Sequence, residues 1–311
     1  MSVWLSASTA VVALMAVSAT STVAVGEVLK ICLDENLPPL SAHRRGAPDN
    51  GFDLALAREV AQRLGRPLEV QWFGSKLDED SSPALEANAL LSDGRCSLVG
   101  SYALTRDSLV VPGIKTAKLP DFEGATGPDH RRRVPLGALA ASEPYIYSPL
   151  TIVIGSRAHD RHISGVGDLA GLRVGIESGT LADAILMTFD NGRLIDDITH
   201  LVPGRSDLLG TLERGELDAT LLDLRRFDAY RAAHPNTTLA GSGYFYPIGV
   251  NRGYVGLASD PALLVEVNKA LGDLQAAGTV TKLAEAAGLT FLPPREPKVL
   301  GDAMLKVLQK Q

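Results

Sequence analysis

From Leu29 onward the chain alternates short apolar runs with helix-forming stretches, and this alternation limits its fold more than any other feature. The spacing predicts strands at 29–33, 68–73, 96–101, 150–155, 172–176, 219–222 and 254–258. Between them, helices are expected from Ser82-Pro83 to Leu91, from Thr180, from a Ser206 cap through Leu212, and over 227–233. Asp260-Pro261 opens a long helix carrying Leu264, Val267, Leu271 and Leu274, and a shorter one follows at 280–287. A β-α-β order of this kind builds a largely parallel sheet covered by helices on both faces. Pro293-Pro294 and Pro297 break the pattern, and the last residues read as a short helix or a frayed tail.

The first unit is the most specific. Leu29 to Leu33 is a buried-type strand, followed by a proline-containing loop and then Gly51-Phe52-Asp53. Asp53 is expected to cap the next helix by accepting backbone N–H groups. Phe52, Leu56, Ala57, Val60, Ala61 and Leu64 share one helical face, and Gly65 offers the left-handed stop. This strand, loop and glycine-phenylalanine-aspartate helix start resembles the family 3 extracellular solute-binding proteins. Those are bilobal receptors that deliver amino acids and similar solutes to ABC importers.

Composition agrees with an exported protein of that size. Residues 1–26 hold an apolar run, 11–17, and a small-x-small Ala24-Val25-Gly26, so they are expected to be a signal peptide. No cysteine follows at lipobox spacing, so a periplasmic protein and not a lipoprotein is expected. About 285 residues remain beyond that segment, enough for two ordinary domains. A net charge of −6 gives no electrostatic case for nucleic acid. No metal-ligand spacing occurs, and no cofactor is implied. The two cysteines, Cys32 and Cys96, suit a disulfide in an oxidising compartment and buried thiols in the cytosol.

The resemblance runs from about Leu29 to Leu289. It implies an α/β, bilobal periplasmic binding protein of type II, two doubly wound lobes joined by two hinge strands. Lobe 1 would comprise 27–148 and 252–291, lobe 2 would comprise 149–251, and 292–311 would form a C-terminal tail. It also implies a set of ligand contacts. Arg106, after the turn containing Ser101, would grip a ligand carboxylate through its planar guanidinium. Ser178 and Thr180 lie in a strand-to-helix turn suited to an anion. Asp223, ending a Gly215-Glu216-Leu217-Asp218-Ala219 strand motif, would take the ligand ammonium, although it could equally cap the next helix. Glu35 and Leu37 stand where an aromatic wall is usual, which departs from a typical amino-acid site.

Two further features pull elsewhere. Cys32 and Cys96, placed on the first and third strands, resemble a cysteine pair in periplasmic accessories of quinoprotein alcohol dehydrogenases, and the resemblance implies that they are bridged. Residues 107–140 form a long insertion with a basic run at Arg131, Arg132 and Arg133, read as a solvated flap, a lid or a docking surface without a core-facing apolar side. The expected function is capture of a small polar solute, amino-acid-like or another carboxylate, for an ABC importer permease. The alternatives are an accessory of a periplasmic quinoprotein dehydrogenase, and an arogenate or prephenate dehydratase using Glu35 or Glu177 as general acid.

Overall fold

A computed structural model describes residues 27–75, 82–111 and 113–301. The expected signal peptide and the last ten residues of the tail lie outside them. Ten strands form one mixed sheet: β1 (Leu29–Asp34), β2 (Leu68–Gly74), β3 (Leu98–Ala103), β4 (Asp121–Phe122), β5 (Leu139–Ala141), β6 (Ile146–Ile154), β7 (Val174–Glu177), β8 (Ile198–Leu201), β9 (Ala219–Asp223) and β10 (Ala240–Leu257). Their order is β8-β7-β9-β6-β10-β3-β1-β2-β4, with β5 also on β10. At one end β1 lies parallel between β2 and β3; at the other, β7 lies parallel between β8 and β9. The antiparallel pair β6 and β10 joins the two ends.

The helices are α1 (Phe52–Leu64), α2 (Pro83–Ser92), α3 (Leu181–Thr188), α4 (Leu208–Glu213), α5 (Leu224–Ala233), α6 (Pro261–Ala276) and α7 (Thr279–Ala286). Strand alternation divides them between the faces. Leu29, Ile31 and Leu33 of β1 face α1, α6 and α7, while Cys32 faces α2. Likewise Ile152 and Ile154 of β6 face α3, and Val153 faces α4. Each end of the sheet therefore has a core on both sides, which is the bilobal type II architecture.

Two helix starts differ from expectation. Asp53 does not cap α1. The N–H groups of Phe52 and Asp53 are taken by the carbonyls of Pro39 and Leu40, at 3.0 and 2.7 Å, so no side-chain cap is needed. Gly51 permits that approach, because a Cβ there would sit 2.4 Å from the Leu40 oxygen. At α4 the cap is Asp207 instead of Ser206, its carboxylate accepting from the Gly210 N–H at 2.9 Å. The α1 stop holds as expected, with Gly65 at φ 64.

Cys32 and Cys96 are bridged, with Cα atoms 5.6 Å apart; Cys96 lies two residues before β3, not within it.

The 107–140 insertion is not an unattached flap. Residues 116–118 and 133–135 pair antiparallel, and β4 extends the sheet beside β2. Ala117, Leu119, Phe122 and Val134 are buried in the same core as the disulfide. Arg95 stacks over Phe122 at 4.4 Å and pairs with Asp129, and Arg132 of the basic run pairs with Asp93. Ala117 and Val134 are register partners in this small ladder, so the apolar side is shared between two short strands instead of lying along one element.

The chain after α7 crosses back over the hinge. Asp228 of α5 accepts from the Thr290 N–H and hydroxyl at 2.8 Å each. The Asn251 amide of β10 donates to the carbonyls of Arg295, Pro297 and Lys298 and accepts from the Arg295 N–H. Leu300 is buried and exchanges backbone bonds with Leu104 and Arg106.

Candidate functional site

The carboxyl ends of β1, β2, β3, β7 and β9 converge on the crossing of β6 and β10, where α/β proteins place ligands. Two cavities flank that crossing. The larger, about 690 Å³, is walled by Glu35, Leu37, Phe73, Ser101, Thr105 and Arg252 among others. The smaller, about 290 Å³, is walled by Glu177, Thr180, Asp223, Arg225 and Arg226 together with apolar residues of β7 and β9.

Asp223 stands between them. Its Oδ1 accepts from the Arg225 N–H at 2.9 Å, capping α5, while Oδ2 faces the Arg252 guanidinium at 3.4 Å. Asp223 therefore caps α5 and also walls the smaller cavity. Arg252, on the return strand, is the cation that sequence reasoning missed. It donates to the Ser101 carbonyl at 2.9 Å and to the Ser148 hydroxyl at 3.2 Å. Its one sequence signal is the polar Asn251-Arg252 step in the apolar second half of its strand, 248–257.

Arg225 was also missed. It is half-buried with its Nε fully enclosed, and loss of solvent pulls its guanidinium below the usual arginine range, opposed by the neighbouring Asp223. One Nη donates to the Pro38 carbonyl at 3.1 Å, and its Nε has no hydrogen-bond partner. Arg226, by contrast, spends both Nη groups on Glu177, which raises the arginine further.

The other expected residues divide. Arg106 opens a single helical turn, 106–109, and is exposed outside both cavities; Thr105 and Ser108 are the residues of that turn that face the larger one. Thr180 reaches the smaller cavity, but its hydroxyl caps α3 through the Asp183 N–H and donates to the Glu177 carbonyl. The adjacent anion corner is filled by the chain's own Asp183, which accepts from the Gly179 N–H at 2.8 Å. Ser178 is exposed and walls neither cavity. Glu35 and Leu37 do face the larger one.

Ser101 is buried, and its side chain is spent on an internal partner. Its hydroxyl donates to Asp53, its N–H donates to the Tyr145 oxygen at 2.6 Å, and Tyr145 donates to Asp53 at 3.0 Å. Burial pushes the Asp53 carboxyl up to about 6, against these hydrogen bonds and the nearby arginines. Among the described residues no cluster of metal-ligating side chains occurs, and no helix is long and apolar enough to cross a membrane.

The two-lobed sheet and the cleft at its crossing define the fold class: a bilobal α/β architecture of type II. Solved structures of that class are similar over most of this chain. An ancestral cationic amino acid solute-binding protein is 19% identical, with a TM-score of 0.57, over 83% of this chain and 94% of its own. The L-cystine solute receptor of Neisseria gonorrhoeae, unliganded and open, is 18% identical at TM-score 0.57, over 86% and 95%. Substrate-binding domain 2 of Lactococcus lactis GlnP, also open, is 19% identical at TM-score 0.57, over 84% and 94%. No protein-family model and no curated protein matches the sequence.

Proposed function

We infer that this protein is an exported receptor that captures a small, charged solute between its two lobes and presents it to a membrane importer. In this reading lobe 1 comprises 27–148 and 252–291, lobe 2 comprises 149–251, and β6 and β10 are the hinge strands. One observation carries the assignment: a half-buried arginine with an enclosed, unspent Nε donor, Arg225, lies beside the carboxylate Asp223 on the cleft floor. Unpaired donors in a buried site are costly, and a ligand oxygen would satisfy this one. Asp223, only loosely held by Arg252 at 3.4 Å, is placed to take a ligand ammonium. An amino acid supplies both groups. The cavities have the volume for one, and the names of the similar structures, cationic amino acid and cystine, point to the same class. The disulfide fits an oxidising compartment, hence export to the periplasm.

The test is a thermal-shift screen of the standard amino acids, cystine and simple carboxylates, followed by calorimetry. Arg225→Ala and Asp223→Asn should weaken a hit by roughly 30-fold to several thousand-fold, the usual cost of breaking a buried charged contact. Arg106→Ala should leave it unchanged. A hit that tolerates both cleft variants removes the assignment.

A second reading, docking on a partner such as a quinoprotein dehydrogenase, is favoured by one feature. Val110, Val111 and Ile114 are each more than half exposed beside the cleft-facing Thr105 and Ser108. A protein that ignores every solute in the screen but binds such a partner would establish it. The dehydratase reading is left with Glu35, which faces the larger cavity, because both Glu177 oxygens are occupied by Arg226.

A further inference from the structure

Beneath the cleft runs a chain of buried polar contacts. It starts at Asp53, fully buried on the second residue of α1. One carboxylate oxygen holds the Ser101 hydroxyl and the other holds the Tyr145 hydroxyl, which in turn accepts the Ser101 N–H. Ser101 is thereby gripped at two points. Its backbone sits at φ 52, a left-handed conformation that residues with a side chain rarely adopt. That conformation turns the Ser101 carbonyl to Arg252, which donates to it at 2.9 Å and reaches Asp223 with another nitrogen.

We propose that Asp53 is a positioning residue for the binding cleft, holding Arg252 in place through Ser101, so that neutralising Asp53 releases the arginine from its set geometry. The proposal rests on the reading of the cleft as the ligand site. Ionised, Asp53 accepts two hydrogen bonds and donates none, which suits the Ser101 and Tyr145 hydroxyls. Protonated, it must donate one, and the bond to either hydroxyl has to reverse. Reversal at Ser101 frees that hydroxyl and relaxes the backbone that aims its carbonyl. The groups facing Asp53 are few: Ser101 on β3, Tyr145 before β6, Tyr254 and Arg252 on β10, and Arg225 on α5. Burial holds both tyrosines above their ordinary range, so neither titrates near neutrality. Asp53 alone among them changes charge in mildly acidic solution, near pH 6.

The experiment is a ligand-free NMR titration of the full protein from pH 4.5 to 8, following the Arg252 Nε–H, assigned by its loss in Arg252→Lys. We expect the wild-type signal to move with a midpoint near 6, together with the Asp53 carboxyl carbon. The movement should vanish in Asp53→Asn and survive in Asp223→Asn, which separates Asp53 from the carboxylate that Arg252 touches directly. An Arg252 signal that stays still in the wild type overturns the proposal even if Asp53→Asn does not fold. So does a shift that persists in Asp53→Asn. Because no ligand is used, failure here leaves the solute-binding reading standing, and failure of the solute screen leaves this titration interpretable.

Discussion

At the residue scale, Asp53 also predicts how stability depends on pH. Its carboxyl lies near 3.8 when unfolded and at about 6 in the native protein, so the native state binds its proton more tightly. The sign follows directly: stability contributed by this group is fullest below pH 4 and is lost as pH rises toward 6. Between pH 4.5 and 7 the loss should be about 2 kcal/mol. Asp53→Asn cannot titrate and should lack that slope. Urea unfolding of both proteins at the two pH values checks this, and equal slopes would place the carboxyl in its ordinary range. Exposed carboxylates held low, such as Asp129 and Asp168, act with the opposite sign in both proteins and cancel in the difference. Residue identity alone made Asp53 look like a helix cap. The contacts that decide otherwise come from Leu40, Ser101 and Tyr145, which no local reading brings together.

At the element scale, the sequence was most legible where period and burial coincide. The β1-α1 unit, the Gly65 stop and the α6 stripe all formed where expected, because each is set by its own apolar spacing. The disulfide, which the resemblance implied, joins Cys32 on β1 to Cys96 just ahead of the neighbouring β3. It closes a loop 64 residues apart in sequence, for which chain entropy gives about 4 kcal/mol. Replacing both cysteines by alanine should lower unfolding stability by up to that amount, measured by denaturant titration without reductant. A variant of unchanged stability would show that the reduced chain already holds this loop. The insertion was misread because its strands are two or three residues long and find partners far away in the chain. Phe122, 7% exposed and covered by Arg95, is its anchor. Phe122→Ala should cost about 3 kcal/mol, in the range of truncated core aromatics. Loss of less than about 0.5 kcal/mol would return the segment to the status of a solvated flap.

At the scale of the whole molecule, the order of crossings decides what the sequence could and could not disclose. The bilobal plan was legible because it needs only the succession of strands and two long connections. The site was half legible: Asp223, Glu35, Leu37 and Thr180 reach the cleft, whereas its arginines come from a helix start and a return strand that only the fold brings together. The same crossing is restrained by the segment after α7, which ties α5, β10 and the turn after β3 into one path. Asn251 is its central clamp, with four hydrogen bonds to residues 295–298 from a side chain 4% exposed. Asn251→Ala leaves those backbone groups without partners, each costing about 1–3 kcal/mol while it stays buried, so the segment should detach instead of remaining in place. Trypsin cleavage after Lys298 should then be at least tenfold faster than in the wild type, while far-ultraviolet circular dichroism stays the same. Because the lobes lose a restraint on their hinge, small-angle scattering of the variant should also report a larger radius of gyration. Unchanged cleavage and unchanged scattering would mean that Leu300, bound to Leu104 and Arg106, holds the segment without Asn251.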